Sequence, residues 1–189
     1  MTDVAIAMFA ILLLAHVLGD FVLQSAKDVA EKGQLRWMAF IKHGGWHAVL
    51  AYVLVGDWAL IQLPIALGLV HIVTDIGKEV AQRTCTPAGE KSPPVKTKMT
   101  LFTIDQVLHL LAVSLLVYFL QDNVGRLREM TWVWMAGYYP IVALSVVLTG
   151  LIVASRTGAI VIALMLGPLQ PKPATTEEAS ESTAETLPT

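Results

Sequence analysis

Three His/Asp pairs, each four residues apart, lie within apolar stretches of this chain: His16 with Asp20, His71 with Asp75, and Asp105 with His109. Positions i and i+4 share a helix face, so each pair points two ligand-type side chains the same way. Imidazole with carboxylate is the ligand set of Zn²⁺, Mn²⁺ or Fe²⁺, whereas Mg²⁺ and Ca²⁺ prefer all-oxygen sites. Seven Asp in 189 residues put an Asp four positions from a given His about 7% of the time. Three such coincidences among five His are then expected in roughly a few sequences per thousand.

The elements that must carry these pairs are membrane-type helices. The chain is 55% hydrophobic with a mean hydropathy of +0.63, and several runs approach the roughly 20 apolar residues that cross a bilayer. The pattern predicts helices over Val4–Gln24, Trp37–Val55, Trp58–Lys78, Leu101–Leu120 and Trp132–Ala154. A sixth run, GAIVIALMLG, is too short to span unaided and reads as a half-helix, an interfacial segment or the end of a tilted helix. Between them fall a polar connection from Lys27 to Arg36, a long loop from Glu79 to Thr100 broken by Pro87, Gly89, Pro93 and Pro94, and a turn over Asp122–Arg128. The expected fold is an all-α polytopic transmembrane bundle of five spanning helices plus a short sixth hydrophobic segment. It forms one domain over 1–169, its motif-bearing bundle over about 4–120. The Pro/Thr/Ser/Glu-rich stretch 170–189 is expected to be disordered. The N-terminal run lacks a basic flank and a small-residue cleavage pattern, so it reads as a retained helix. A lone cysteine, Cys85, excludes an intrachain disulfide framework and argues against a thiolate cluster. No feature predicts a nucleic-acid partner.

Charge asymmetry orients the bundle. If the helices alternate, one side carries Lys27, Lys32, Arg36, Lys42, Lys78, Arg83, Lys91, Lys96, Lys98 and Arg156, and the other at most Arg126, Arg128 and Lys172. That places the N-terminus outside a bacterial inner membrane and the first and third loops in the cytoplasm. At about 1.5 Å of rise per residue, the pairs then share one depth, carboxylates nearer the cytoplasm and imidazoles one turn deeper. The order reverses from His-x3-Asp to Asp-x3-His where the helix direction reverses. On the second helix, His43 falls near the Asp level and His47 near the His level.

His16, His47, His71 and His109, with Asp20, Asp75 and Asp105, supply up to seven ligands. A mononuclear zinc needs three or four. The excess implies either two metals or one metal whose imidazoles are held by outer carboxylates. The bland alternative is a polar core in which Asp and His merely fasten helices together. Lys78 is expected to pair with Asp75 or to snorkel towards an anionic group. Gln24 extends the His16/Asp20 face, Gln106 points into a neighbouring helix, and His43, next to Lys42, is expected to face the cytoplasmic headgroups. Gly19, Gly44, Gly45, Gly68 and Gly77 are expected to allow close helix approach.

At these residues the chain resembles a bacterial integral-membrane family classed as domain of unknown function 3307. The resemblance rests on LLLAHVLGDFVLQSAKDVAEK (His16, Asp20, Phe21, Gln24, Lys32), His47, HIVTDIGK (His71, Asp75, Lys78) and FTIDQVLHLL (Asp105, Gln106, His109), and covers roughly residues 5 to 120. It implies a multi-pass membrane protein and no established activity. Helix-borne His-x3-Asp pairs also occur in zinc-dependent phospholipase C and P1-type nucleases, a likeness of spacing only.

The leading expectation is a divalent-metal site, zinc first and manganese or iron next. It would activate water to hydrolyse a lipid-linked or phosphorylated substrate, with Asp20, Asp105 and Lys78 as catalytic groups and Lys78 holding substrate charge. The implied partners are the bilayer and an anionic lipid or phosphorylated substrate. The alternatives are a proton or metal-ion transporter and a non-catalytic membrane scaffold. Transport needs polar residues continuing outward. Val4–Ala15 has none, and Leu110–Leu120 offers only Ser114 and Tyr118.

Overall fold

A computed structural model describes residues 3–90, 92–120 and 130–166, and all the regular structure among them is helical. The expected tail over 170–189, the Asp122–Arg128 turn, Lys91 and Lys172 lie outside the described residues. Helix α1 (Asp3–Leu18) runs directly into one π-helical turn, Gly19–Leu23. It is apolar on all sides and packs against three other helices, with Ala5, Ala7, Met8, Leu12 and Ala15 almost fully enclosed. A helix of that composition belongs at the centre of a bundle. Around it stand α3 (Trp37–Val55), α5 (Val95–Leu120) and α7 (Tyr138–Ile152). The fourth helix, α4 (Gln62–Thr84), packs between α3 and α5.

The α3–α4 crossing is close because both helices present glycine there. A Cβ on Gly44 would lie 2.9 Å from the Gly68 carbonyl oxygen, and one on Gly68 would lie 3.0 Å from that of Gly44. Small residues let membrane helices approach in this way. Gly45 and Gly77 do not share that role, since an added Cβ at either meets nothing within 4 Å.

Several boundaries differ from those expected. The connection after α1 contains a short helix, α2 (Ala26–Gly33), opened by a capping box between Ser25 and Asp28. The long polar loop is shorter than expected, because α4 continues to Thr84 and α5 starts at Val95. The prolines 87, 93 and 94 all fall in what remains. The fifth expected helix is broken at Gly137 (φ +86°), which separates α6 (Thr131–Ala136) from α7. The run GAIVIALMLG is not a separate segment. Its first residues form α8 (Gly158–Leu166), which continues α7 through a π-turn over Val153–Thr157.

Among the described residues, three helical stretches are long and apolar enough to cross a membrane, rather than five plus a sixth: Asp3–Leu23, Val95–Leu120 and Tyr138–Ala163. Helices α3 and α4 fall short because they carry the polar cluster. Lys42, His43 and His47 dilute one, and His71, Asp75, Lys78 and Glu79 the other. Their polarity is nonetheless inverted relative to a water-soluble helix. His43, His47, His71 and Asp75 are buried, while Trp46, Val49, Val53, Ile65, Leu69 and Val73 are exposed.

Helix α2 is fastened by Asp28. Its carboxylate accepts from the Ser25 backbone N–H (3.1 Å), the Ser25 hydroxyl (2.7 Å) and the Lys42 ammonium (2.8 Å). Lys42 first, and Ser25 second, hold this carboxyl well below the ordinary carboxylate range. A group depressed in the folded state stabilises it above its unfolded pKa, near roughly 4. That stabilisation drains as pH falls through and below this value. Amide protection factors in α2, which correct for the intrinsic exchange rate at each pH, should therefore fall at pH 3 relative to pH 6 in the parent protein, and Asp28→Asn should largely abolish the difference.

Candidate metal centre

The π-turn at the end of α1 re-aims Asp20 into the bundle. Such turns insert a residue into a helix and recur at functional sites. Asp20 Oδ1 lies 3.0 Å from His43 Nε2, 3.1 Å from His47 Nε2 and 3.3 Å from His71 Nε2. Its Oδ2 is 3.6 Å from His16 Nε2. The His47 and His71 rings stack at 3.5 Å, and His109 stands 4.1 Å from His71 and 4.9 Å from His16, centroid to centroid. All five imidazoles are buried. The neighbouring Gly19 makes room for this: a Cβ there would sit 2.4 Å from His47 Cε1 and Nε2. Gly19→Ala should displace His47 and lower the thermal midpoint in detergent, a cost of about 1–3 kcal/mol for overpacking a filled interior.

The other two carboxylates have ammonium partners. Asp75 Oδ2 accepts from Lys32 of α2, an ion pair with both side chains 4% exposed. Lys78 Nζ lies 3.7 Å from Asp75 Oδ1 and donates to Asp105 Oδ2 at 3.1 Å. Gln106 crosses to α1 as well as lying beside its neighbour, with Nε2 3.5 Å from Asp20 Oδ2 and 3.2 Å from Asp105 Oδ2. Two lysines thus face Asp75 and Asp105, and Asp20 is left among imidazoles.

With Asp20 ionised, hydrogen bonding alone does not satisfy this arrangement. A neutral imidazole has one N–H. His43 and His71 Nε2 lie 2.9 Å from each other, and both lie within 3.3 Å of Asp20 Oδ1. If both nitrogens carry hydrogen, the two hydrogens oppose each other. If only one does, the other faces a carboxylate lone pair to lone pair. Making both rings cationic adds repulsion across that same short gap. A cation among the nitrogens and the carboxylate removes the conflict. At Zn–N distances of roughly 2.0–2.1 Å, tetrahedral ligands stand about 3.3 Å apart, within the spread seen here. His109 is also set as a donor of a lone pair. A carbonyl can only accept, so the 2.8 Å contact to the Asp105 carbonyl puts a proton on His109 Nδ1 and, in a neutral ring, leaves Nε2 bare. Nε2 is buried without a partner, as is Asp105 Oδ1.

Among the described residues, three sets of ligand atoms lie, within each set, no more than 4.8 Å from one another: His16, Asp20, His47 and His71; His43, His71 and Asp75; and Asp75, Asp105 and His109. All seven expected ligands therefore occur in one connected cluster. Lys78 also reaches it, through Asp75 and Asp105. Gln24 is partly exposed just after the π-turn. Two participants were not anticipated. His43 is 3% exposed and central rather than facing headgroups. Lys32 is buried against Asp75 rather than free in a loop. The sequence signals available for Lys32 were the Ser25-x-x-Asp28 capping pattern, which marks a helix start, and its place in the resemblance motif.

No curated protein and no solved structure matches the chain. Residues 8–136, which hold all five His and the three paired Asp, match the family described as protein of unknown function (DUF3307), and the chain belongs to that family.

Proposed function

We propose that this is a multi-pass membrane protein whose His/Asp cluster binds a divalent metal, zinc first and manganese or iron next, and uses it to hydrolyse a lipid-linked or phosphorylated substrate. The observation that carries the metal reading is the 2.9 Å approach of His43 and His71 Nε2 beside Asp20. His16, His47 and His71 with Asp20 are the principal ligands, and His43 is added to them. Asp75, Asp105 and His109 adjoin them through His71. The lysine partners of Asp75 and Asp105 favour one cation at Asp20 over two.

A bound divalent cation would polarise water at neutral pH. The unpartnered Asp105 Oδ1 is placed to take a proton, and the Lys78 ammonium to hold an anionic substrate group. The inverted polarity of α3 and α4 supports their crossing the bilayer together with α1, α5 and α7–α8. With the basic residues cytoplasmic, the N-terminus is then outside and the cluster opens towards the cytoplasm. A conduit would need polar groups continuing outward. Met8, Leu12, Val113 and Val117 are buried there instead.

Elemental analysis of detergent-purified protein tests the first half. The expected result is bound zinc, manganese or iron in the parent and its loss in His71→Ala. No metal in the parent, or no change in the variant, would sink the reading. Release of a chromogenic phosphodiester by metal-loaded protein tests the second half.

A further inference from the structure

We propose that the groove between α4 and α5 binds one anionic glycerophospholipid of the surrounding bilayer, its phosphate between Lys78 and Lys98 and an acyl chain along the groove. The groove encloses about 530 Å³, within the range of small-molecule sites. Its walls include Val73, Gly77, Ile104 and Leu108, and it extends along α5 from Leu101 to Leu115. Those fourteen steps correspond to about 21 Å at the helical rise, longer than one leaflet of a roughly 30 Å hydrocarbon core. An entire acyl chain fits along it.

Charge is confined to one end. Among the described residues, Lys78 and Asp105 are the only ionisable ones lining the groove. Lys98 precedes Leu101 by three residues and Asp105 by seven, so it shares their face of α5 one turn nearer the helix start. Lys98 has no carboxylate partner within ion-pair distance among the described residues, so its charge is available to an anion. A soluble phosphoester would have to shed water to enter these apolar walls. A bilayer lipid reaches them laterally with its chain already in hydrocarbon. A phosphate at Lys78 would lie beside Asp105, on the edge of the metal cluster. The proposal deepens the hydrolase reading by naming its substrate class. Lipid binding itself rests on the groove and the two lysines.

The test is native mass spectrometry of protein incubated with phosphatidylglycerol or with phosphatidylcholine of equal chain length, with metal content measured on the same samples. The parent should retain one phosphatidylglycerol per chain and at least tenfold less phosphatidylcholine. Gly77→Phe fills the groove from a position where an added Cβ meets nothing within 4 Å. It should cut phosphatidylglycerol retention at least tenfold, and Lys98→Gln several-fold, with metal content unchanged in both. Equal retention of the two lipids, or parental retention in both variants, overturns the proposal. Lipid binding without metal would instead overturn the metal reading and leave this one standing.

Discussion

Asp20→Asn should strip the metal from the protein, whereas Asp105→Asn should leave most of it bound. Both substitutions remove one negative charge from the same cluster, yet the two carboxylates have different company. Asp105 faces the Lys78 ammonium at 3.1 Å, so a cation already compensates it. Asp20 has imidazole nitrogens at 3.0, 3.1 and 3.3 Å and a Gln106 amide, but no lysine or arginine within ion-pair distance among the described residues. A divalent ion at Asp20 would be stabilised by that uncompensated charge, which the asparagine variant lacks. Outer partners of metal ligands typically contribute about 10–100-fold in affinity. Asp20→Asn should exceed about 100-fold and Asp105→Asn should stay near tenfold at most, as read by competition with a chromogenic zinc chelator. Equal losses in the two variants would mean that the carboxylates act together on two metals, and the single-cation assignment would fall.

The second large effect is expected at Lys32. Its ammonium and the Asp75 carboxylate are both nearly excluded from solvent, and α2 exists in part to deliver it. Lys32→Met keeps the length of the apolar stem but removes the close ammonium from Asp75 Oδ2, leaving His43 at 3.7 Å and His71 at 3.8 Å there and Lys78 3.7 Å away on the other oxygen. Removing one partner of a buried pair costs about 3–5 kcal/mol, because the remaining charge is uncompensated. Lys32→Met should therefore lower the thermal midpoint markedly. Lys32→Met/Asp75→Leu should recover most of the loss, since an apolar replacement of the whole pair is often neutral. A double variant no more stable than the single would show that Asp75 matters for something other than this pair. Excess zinc should raise the midpoint of Lys32→Met more than that of the parent, since His43, His71 and Asp75 have ligand atoms close enough to hold a cation.

Some of this was legible in the residues themselves. The i, i+4 spacing puts His and Asp on one face of any helix, whatever the fold. The reversal of order between α4 and α5 lets antiparallel helices bring His71 beside His109 and the two carboxylates to one lysine. His47 was reachable by the same argument, one level up from His43. Helix boundaries were less legible, because apolar periodicity does not register the capping box that starts α2 or the Gly137 break. Counting spans was harder still. The residues that form the cluster lower the hydropathy of α3 and α4, so composition weakens where the site is built.

By itself the sequence determined a helical chain in which paired His and Asp share helix faces, because helical periodicity acts locally. Tertiary structure alone decided which of those groups meet. His43 turned inward because Gly44 and Gly68 bring α3 and α4 into backbone contact. Asp20 reached four imidazoles because a π-turn re-aims it and Gly19 leaves room for the His47 ring. Asp75 and Asp105 acquired lysines while Asp20 did not, because α2 folds back with Lys32 and Lys78 leans between its two neighbours. Such pairings depend on crossings between elements far apart in the chain. Only a solved packing fixes the distances on which charge compensation depends.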